Sequence, residues 1–285
     1  MNLRSAKRVA DMNADSILGC GRVRPPGQAG RFYPADPAQL RKEVSDYLDA
    51  APRPTGPVPK ALIAPHAGYM YSGPIAGSAY ARLESGRDQI RRVVLVGPSH
   101  FARFNGVAAS GMDAFATPLG NVPLDRAGIA RAASLPGVAI SEDPHREEHS
   151  LEVHIPFLQV VLGEFELVPL LVGEATQSEV ARLLEVLWGG PESCIVASSD
   201  LSHYHDYYTA RQMDQATARA IEAFEGERLD GHDACGFQGV RGLLEVARDR
   251  GLECRAIDLR NSGDTAGSRS RVVGYGAFVL TTPGK

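Results

Sequence analysis

The sequence has no apolar run approaching the roughly 18 residues that a membrane-spanning helix needs. Its longest aliphatic stretches, such as Val93 to Val96 and Leu167 to Val172, are only strand-length, so no segment is expected to cross a bilayer. An excess of one charge sign is lacking too. Thirty Lys and Arg stand against 34 Asp and Glu, a formal charge of -4 over 285 residues. The broad basic surface with which a nucleic-acid binder displaces counterions from phosphates is therefore absent, and nucleic acid is excluded as the main partner. Cysteine is sparse: Cys20, Cys194, Cys235 and Cys254 show neither CxxC spacing nor the density of a disulfide-stapled domain, and reduced thiols are expected. Near the start, Arg4, Lys7 and Arg8 precede Ile17-Leu18-Gly19-Cys20, which superficially matches a lipoprotein cleavage box. Asp11, Asn13 and Asp15 occupy the place of the apolar stretch that export requires. The expected location is the cytoplasm.

What is present is an alternation. Residues 1–27 are polar, carry no sustained period and read as a poorly ordered N-terminal extension ending in Pro25-Pro26-Gly27. From Asp36, Leu40, Val44, Tyr47 and Leu48 recur at helical spacing, with Asp36 as N-cap before Pro37. Short aliphatic runs then alternate with helical patterns. The runs are ALIA at Ala61, VVLV at Val93, a strand near Val107, FELVPLLV, and CIVA at Cys194. The helical patterns cover Pro74 to Leu83, Asp125 to Ala133, Ser178 to Leu187, Tyr208 to Phe224 and Phe237 to Arg248. Two strand-like segments, from Cys254 and from Arg271, close the chain and suggest an antiparallel part. Buried aliphatic runs separated by helix-length segments require a sheet covered on both faces. The expectation is a single α/β/α domain over residues 28–285, with a central mixed, largely parallel sheet.

In such sheets ligands collect where the chain leaves the carboxyl ends of strands. After ALIA comes Pro65-His66-Ala67-Gly68-Tyr69, after VVLV comes Gly97-Pro98-Ser99-His100, and after CIVA comes Ser198-Ser199-Asp200-Leu201-Ser202-His203. A lone histidine in a loop is ordinarily a satisfied polar group; three at equivalent topological places point to a site. Two imidazoles plus one anionic residue make a three-ligand metal site with open positions. His66 and His100 are the histidines of that set, and Asp200, Glu152 and Cys235 compete for the third place. His149 and Glu152 are three residues apart and would share a helix face, which offers a zinc-hydrolase alternative. The HExxH order is absent, and the plainer reading makes Glu148, Glu152 and His154 a solvated stripe. His145 and His205 follow no strand and are left out of the site. Cys194 and Cys254 head apolar strands and read as core. Cys235 precedes a helix, whose N-terminus would favour the thiolate. Gly68 to Gly77 lacks the order of a phosphate-binding loop, so Gly73 and Gly77 read as close helix packing; no GxSxG elbow supports a serine nucleophile.

The strings APHAGYMYSG, LVGPSH, TPLGNVPLD, EEHSLEVHIPF, LVPLLVG, VASSDLSHY and ACG, in this order, resemble the Memo family, and QAGRFYPADPAQL resembles its start. The resemblance runs from about Gln28 to Leu280. It implies a fold similar to the class III extradiol ring-cleaving dioxygenases. It also implies a divalent transition metal, Fe(II) first and copper or zinc next, bound by His66, His100 and Cys235, with His149, His203 and Asp200 as pocket acid–base residues. The implied activity is that of a non-haem iron oxidoreductase acting on a small, aromatic-type molecule. Cys235 stands where those dioxygenases have a carboxylate; a thiolate is softer and oxidisable. A non-catalytic binding or adaptor module that keeps the pocket is thus the alternative. The family's prokaryotic members also suggest pathway association with a radical S-adenosylmethionine enzyme.

Overall fold

Short runs of aliphatic and β-branched residues without a polar face are stable as strands only when covered on both sides. The computed structural model describes residues 21–52 and 56–283 and places those runs at the centre of one sheet. In chain order the strands are β1 (Val23–Arg24), β2 (Ala61–Ala64), β3 (Arg92–Pro98), β4 (Val107–Ala109), β5 (Ala114–Thr117) and β6 (Gly120–Pro123). They continue with β7 (Val138–Ile140), β8 (Glu166–Val172), β9 (Ser193–Ser198), β10 (His203–His205), β11 (Glu253–Asn261) and β12 (Val272–Thr281). The helices are α1 (Pro37–Ala50), α2 (Tyr69–Tyr80), α3 (Arg126–Ala133), α4 (Ile155–Leu162), α5 (Gln177–Leu187), α6 (Tyr207–Glu222) and α7 (Phe237–Asp249).

The main sheet runs β10-β12-β2-β9-β3-β8-β4-β7, with β11 also paired to β12. Its middle, β2-β9-β3-β8, is parallel, and every residue of β2 and β9 is buried. The expected antiparallel part is present: β12 pairs antiparallel with both β2 and β11. β4 also runs antiparallel to β8, pairing with Leu170 to Val172 and leaving Pro169, which has no N–H to donate, outside that ladder. Helices cover both faces, with α1, α2 and α4 packed together on one and α3, α5 and α7 on the other. The side-chain alternation of β3 shows the two layers, because Val96 faces Gly239 of α7 while Gly97 faces Ser150 and Leu151. The α/β/α expectation holds.

Two boundaries move. Helix α2 begins at Tyr69 and runs through Pro74 instead of starting there. Packing overrides the proline preference: Gly73 and Gly77 bring the backbone of α2 against Tyr47 of α1, where a Cβ on Gly77 would lie 2.6 Å from the Tyr47 carbonyl oxygen. The expected extension through residue 27 also ends earlier. Val23 and Arg24 form β1, parallel to β5 in a small second sheet, and Arg24 is buried. Residues 1–20, including Cys20, lie outside the described residues. No helix among the described residues is long and apolar enough to cross a membrane.

Candidate metal centre

Because β2, β9 and β3 are parallel neighbours, their carboxyl ends lie side by side, and the loops that leave them share one space. His66 follows β2 and His100 follows β3, with Ser198 and Asp200 at the end of β9 between them. The His66 backbone N–H donates to Asp200 Oδ1 at 2.8 Å, and its ring Nδ1 lies 2.6 Å from Ser198 Oγ. His149 enters from a different element, the loop before a single 3-10 turn at Glu152–His154. The His66, His100 and His149 rings have centroids 5.2, 5.5 and 4.7 Å apart, and one potential ligand atom from each falls within 4.8 Å of the others.

Glu148 holds this cluster together. Its carboxylate accepts from the His100 backbone N–H, from His100 Nδ1 at 2.9 Å, and from the backbone N–H groups of His149 and Ser150 at 2.8 and 2.9 Å. Burial pushes the Glu148 carboxyl up, but these donors, His100 foremost, outweigh it and hold the group at about 2. A carboxylate only accepts, so His100 donates through Nδ1, and Nε2 is the nitrogen that remains to face a ligand. Burial, then the neighbouring histidines His100 and His149, hold His66 well below the usual imidazole range. Burial also brings His149 down to about 4. Both rings are neutral at pH 7, the form that ligates metal. His149 Nδ1 is buried without a hydrogen-bond partner, although Glu148 Oε1 is 3.3 Å away. An orphaned nitrogen inside a cluster of imidazoles fits a cation better than a closed hydrogen-bond network.

Cys235 reaches the same place from the turn before α7. Its backbone N–H donates to the Asp200 carbonyl at 3.2 Å, the Asp200 N–H donates to its Sγ at 3.3 Å, and Sγ lies 3.3 Å from His66 Nε2. Gly236 permits this approach, since a Cβ there would lie 2.9 Å from the Ser199 Cβ. The expected thiolate is not what the surroundings favour. Burial, reinforced by the charge of Asp200, pushes the Cys235 thiol up despite the helix that follows. A bound cation would have to displace that proton.

Three histidines from three loops thus form a group that could hold a metal ion, and the Cys235 sulfur lies beside one of them, His66. A family model described as Memo-like protein matches residues 24–279. The chain belongs to the Memo family. A MEMO1 family protein of Aeropyrum pernix is 36% identical over 90% of this chain and 99% of its own length. MEMO1 family proteins of Aquifex aeolicus and Methanococcoides burtonii are 35% and 34% identical, covering 89% and 90% of this chain and 97% and 100% of their own lengths.

In this Memo-family chain the remaining residues separate clearly. Asp200 is buried beside His66 and Cys235, and burial raises its carboxyl. His203 is partly exposed; its Nδ1 donates to the Leu201 carbonyl at 2.8 Å, leaving Nε2 free, and it lies near enough to His66 and Asp200 to act on both electrostatically. The solvated stripe is overturned, because Glu148, Glu152 and His154 are 2%, 1% and 1% exposed. Glu152 is no partner for His149 either. His149 precedes the turn instead of sharing a helix with it. The Glu152 oxygens are taken by Arg24 at 2.6 Å, the Tyr33 hydroxyl at 2.6 Å and the backbone N–H groups of Gln28 and Gly27 at 2.7 and 3.1 Å. The zinc-hydrolase pair falls with it. Glu148, Ser198 and His154 are polar supports of the site, a role that the sequence pattern alone does not mark. The visible signal is an acid directly before His149 and a serine closing the apolar run CIVA.

Proposed function

We propose that this chain binds a divalent transition metal, iron first, through His66, His100, His149 and Cys235, and acts as a dioxygenase-like oxidoreductase on a small molecule. The observation that carries the reading is the convergence of three imidazoles within 4.8 Å, with the Cys235 sulfur 3.3 Å from His66. Imidazole and thiolate together suit iron, copper and zinc. When bound, the ion supplies Lewis acidity and, for iron or copper, electron transfer. The protein's own part is proton handling: His203 offers a free Nε2, and Asp200, its carboxyl raised by burial, is suited to hold a proton near neutrality.

Elemental analysis of the chain purified without oxygen tests the metal. About one ion per chain is expected, and its loss in His66→Ala; wild type without metal, or His66→Ala that retains it, refutes the site. Oxygen uptake across a panel of hydroxy-aromatic compounds tests the activity. Saturable binding without turnover would instead favour a binding module that keeps the pocket.

A further inference from the structure

Ser198 closes β9 at the centre of the sheet, is 1% exposed, and its single hydroxyl meets three groups. It lies 2.6 Å from the Ser150 carbonyl oxygen, 2.6 Å from His66 Nδ1 and 2.8 Å from His154 Nε2. A hydroxyl has one proton and two lone pairs. The carbonyl only accepts, so the Ser198 proton goes to Ser150. Both remaining partners must then be N–H donors. Turning the proton toward either histidine instead would set hydroxyl and carbonyl lone pairs against each other at 2.6 Å. The count closes at the far end as well: with its proton on Nε2, neutral His154 has its lone pair on Nδ1, and the Tyr80 hydroxyl donates to it at 2.7 Å.

We infer that Ser198 is a positioning residue: by accepting from Nδ1–H it fixes the tautomer of His66 and presents the Nε2 lone pair toward Cys235, with His154 and Tyr80 holding the serine in turn. The two ligand imidazoles after β2 and β3 are thus supported differently. His100 leans on the carboxylate of Glu148, and His66 on a neutral hydroxyl whose only proton is committed elsewhere. Outer partners of this kind fix ring orientation and which nitrogen is free for metal. The direction of the hydrogen bonds stands on geometry alone; its consequence for metal rests on the proposed function.

The experiment separates the two. Nitrogen-15 spectra of the metal-free full chain, labelled at histidine, read the tautomer directly. The expected result is His66 protonated at Nδ1 with Nε2 bare; protonation at Nε2 overturns the inference, whatever the metal does. Zinc titration then reads the consequence. Ser198→Ala is expected to mix the His66 tautomers and weaken zinc binding by about 10–100-fold, while Ser198→Thr, which keeps the hydroxyl, restores both. Tyr80→Phe cuts the far end of the chain: it should lower the melting temperature yet leave the His66 tautomer unchanged, separating positioning from stability. Ser198→Ala with a wild-type tautomer and wild-type zinc affinity refutes the role. A wild-type chain that shows the expected tautomer and binds no zinc refutes the metal reading only.

Discussion

His66 and His100 leave two parallel strands that flank β9, whereas His149 lies in a loop well past the short edge strand β7 and is held in place by side chains. The first pair inherits its geometry from the backbone ladder of β2, β9 and β3. The segment 145–154 inherits its geometry from Arg24, which donates to the His145 carbonyl at 2.8 Å, the Glu148 carbonyl at 2.8 Å and Glu152 at 2.6 Å. The difference teaches that one face of the site depends on sheet formation and the other on a single buried ion pair. Arg24 is also the first residue of the family match.

The largest effect that would break this comparison is expected from Arg24→Ala. Removing one partner of a buried pair leaves the other charge uncompensated, so about 3–5 kcal/mol of stability should be lost in denaturant titration. A loss below about 1 kcal/mol, the scale of an exposed pair, would show that the segment does not hang on Arg24. Next in size is Glu148→Gln, which keeps the shape but removes the charge that binds His100. Metal affinity should fall about 10–100-fold, or about 1.4–2.8 kcal/mol, with His66 still in place; unchanged affinity in a competition titration would remove Glu148 from the centre.

Acid sharpens the comparison further, because the segment carries two buried histidines, His145 and His154, where the strand ends carry one, His66. Burial lowers His145 to about 4 and His154 to about 3 from an ordinary value of 6.5. Both are neutral when folded and protonated when unfolded between those limits, so the unfolded state binds more protons. Stability is then fully present above pH 6.5 and is lost as pH falls from there toward about 4, by at most about 1.4 kcal/mol per pH unit for each histidine. Denaturation midpoints measured across that range should slope accordingly, and His145→Phe should flatten the slope; a flat wild-type profile would contradict the burial argument.

The same division explains what could be read without a structure. ALIA, VVLV and CIVA were legible because a doubly covered strand shows its burial in its own composition, and the topology then carries His66 and His100 to one edge. Stretches whose burial depends on distant partners were not. Glu152 looks solvated beside Glu147 and Glu148, yet its partner Arg24 lies 128 residues away in sequence. Helix α4 was missed because IPFLQVVL is a short apolar run, equally compatible with a strand. For the third ligand place the residues alone leave Asp200, Glu152 and Cys235 in competition, and only the resemblance implies Cys235; the expected thiolate fails because a helix terminus acts weakly against burial beside Asp200.

The central claim is that the two regions share one ion. Anomalous scattering from crystals of the metal-loaded chain tests it directly. The account predicts a single peak at coordination distance, roughly 2.0–2.3 Å, from nitrogens of His66, His100 and His149 and from the Cys235 sulfur. A peak elsewhere, or none between His66 and His100 at full metal loading, would contradict it.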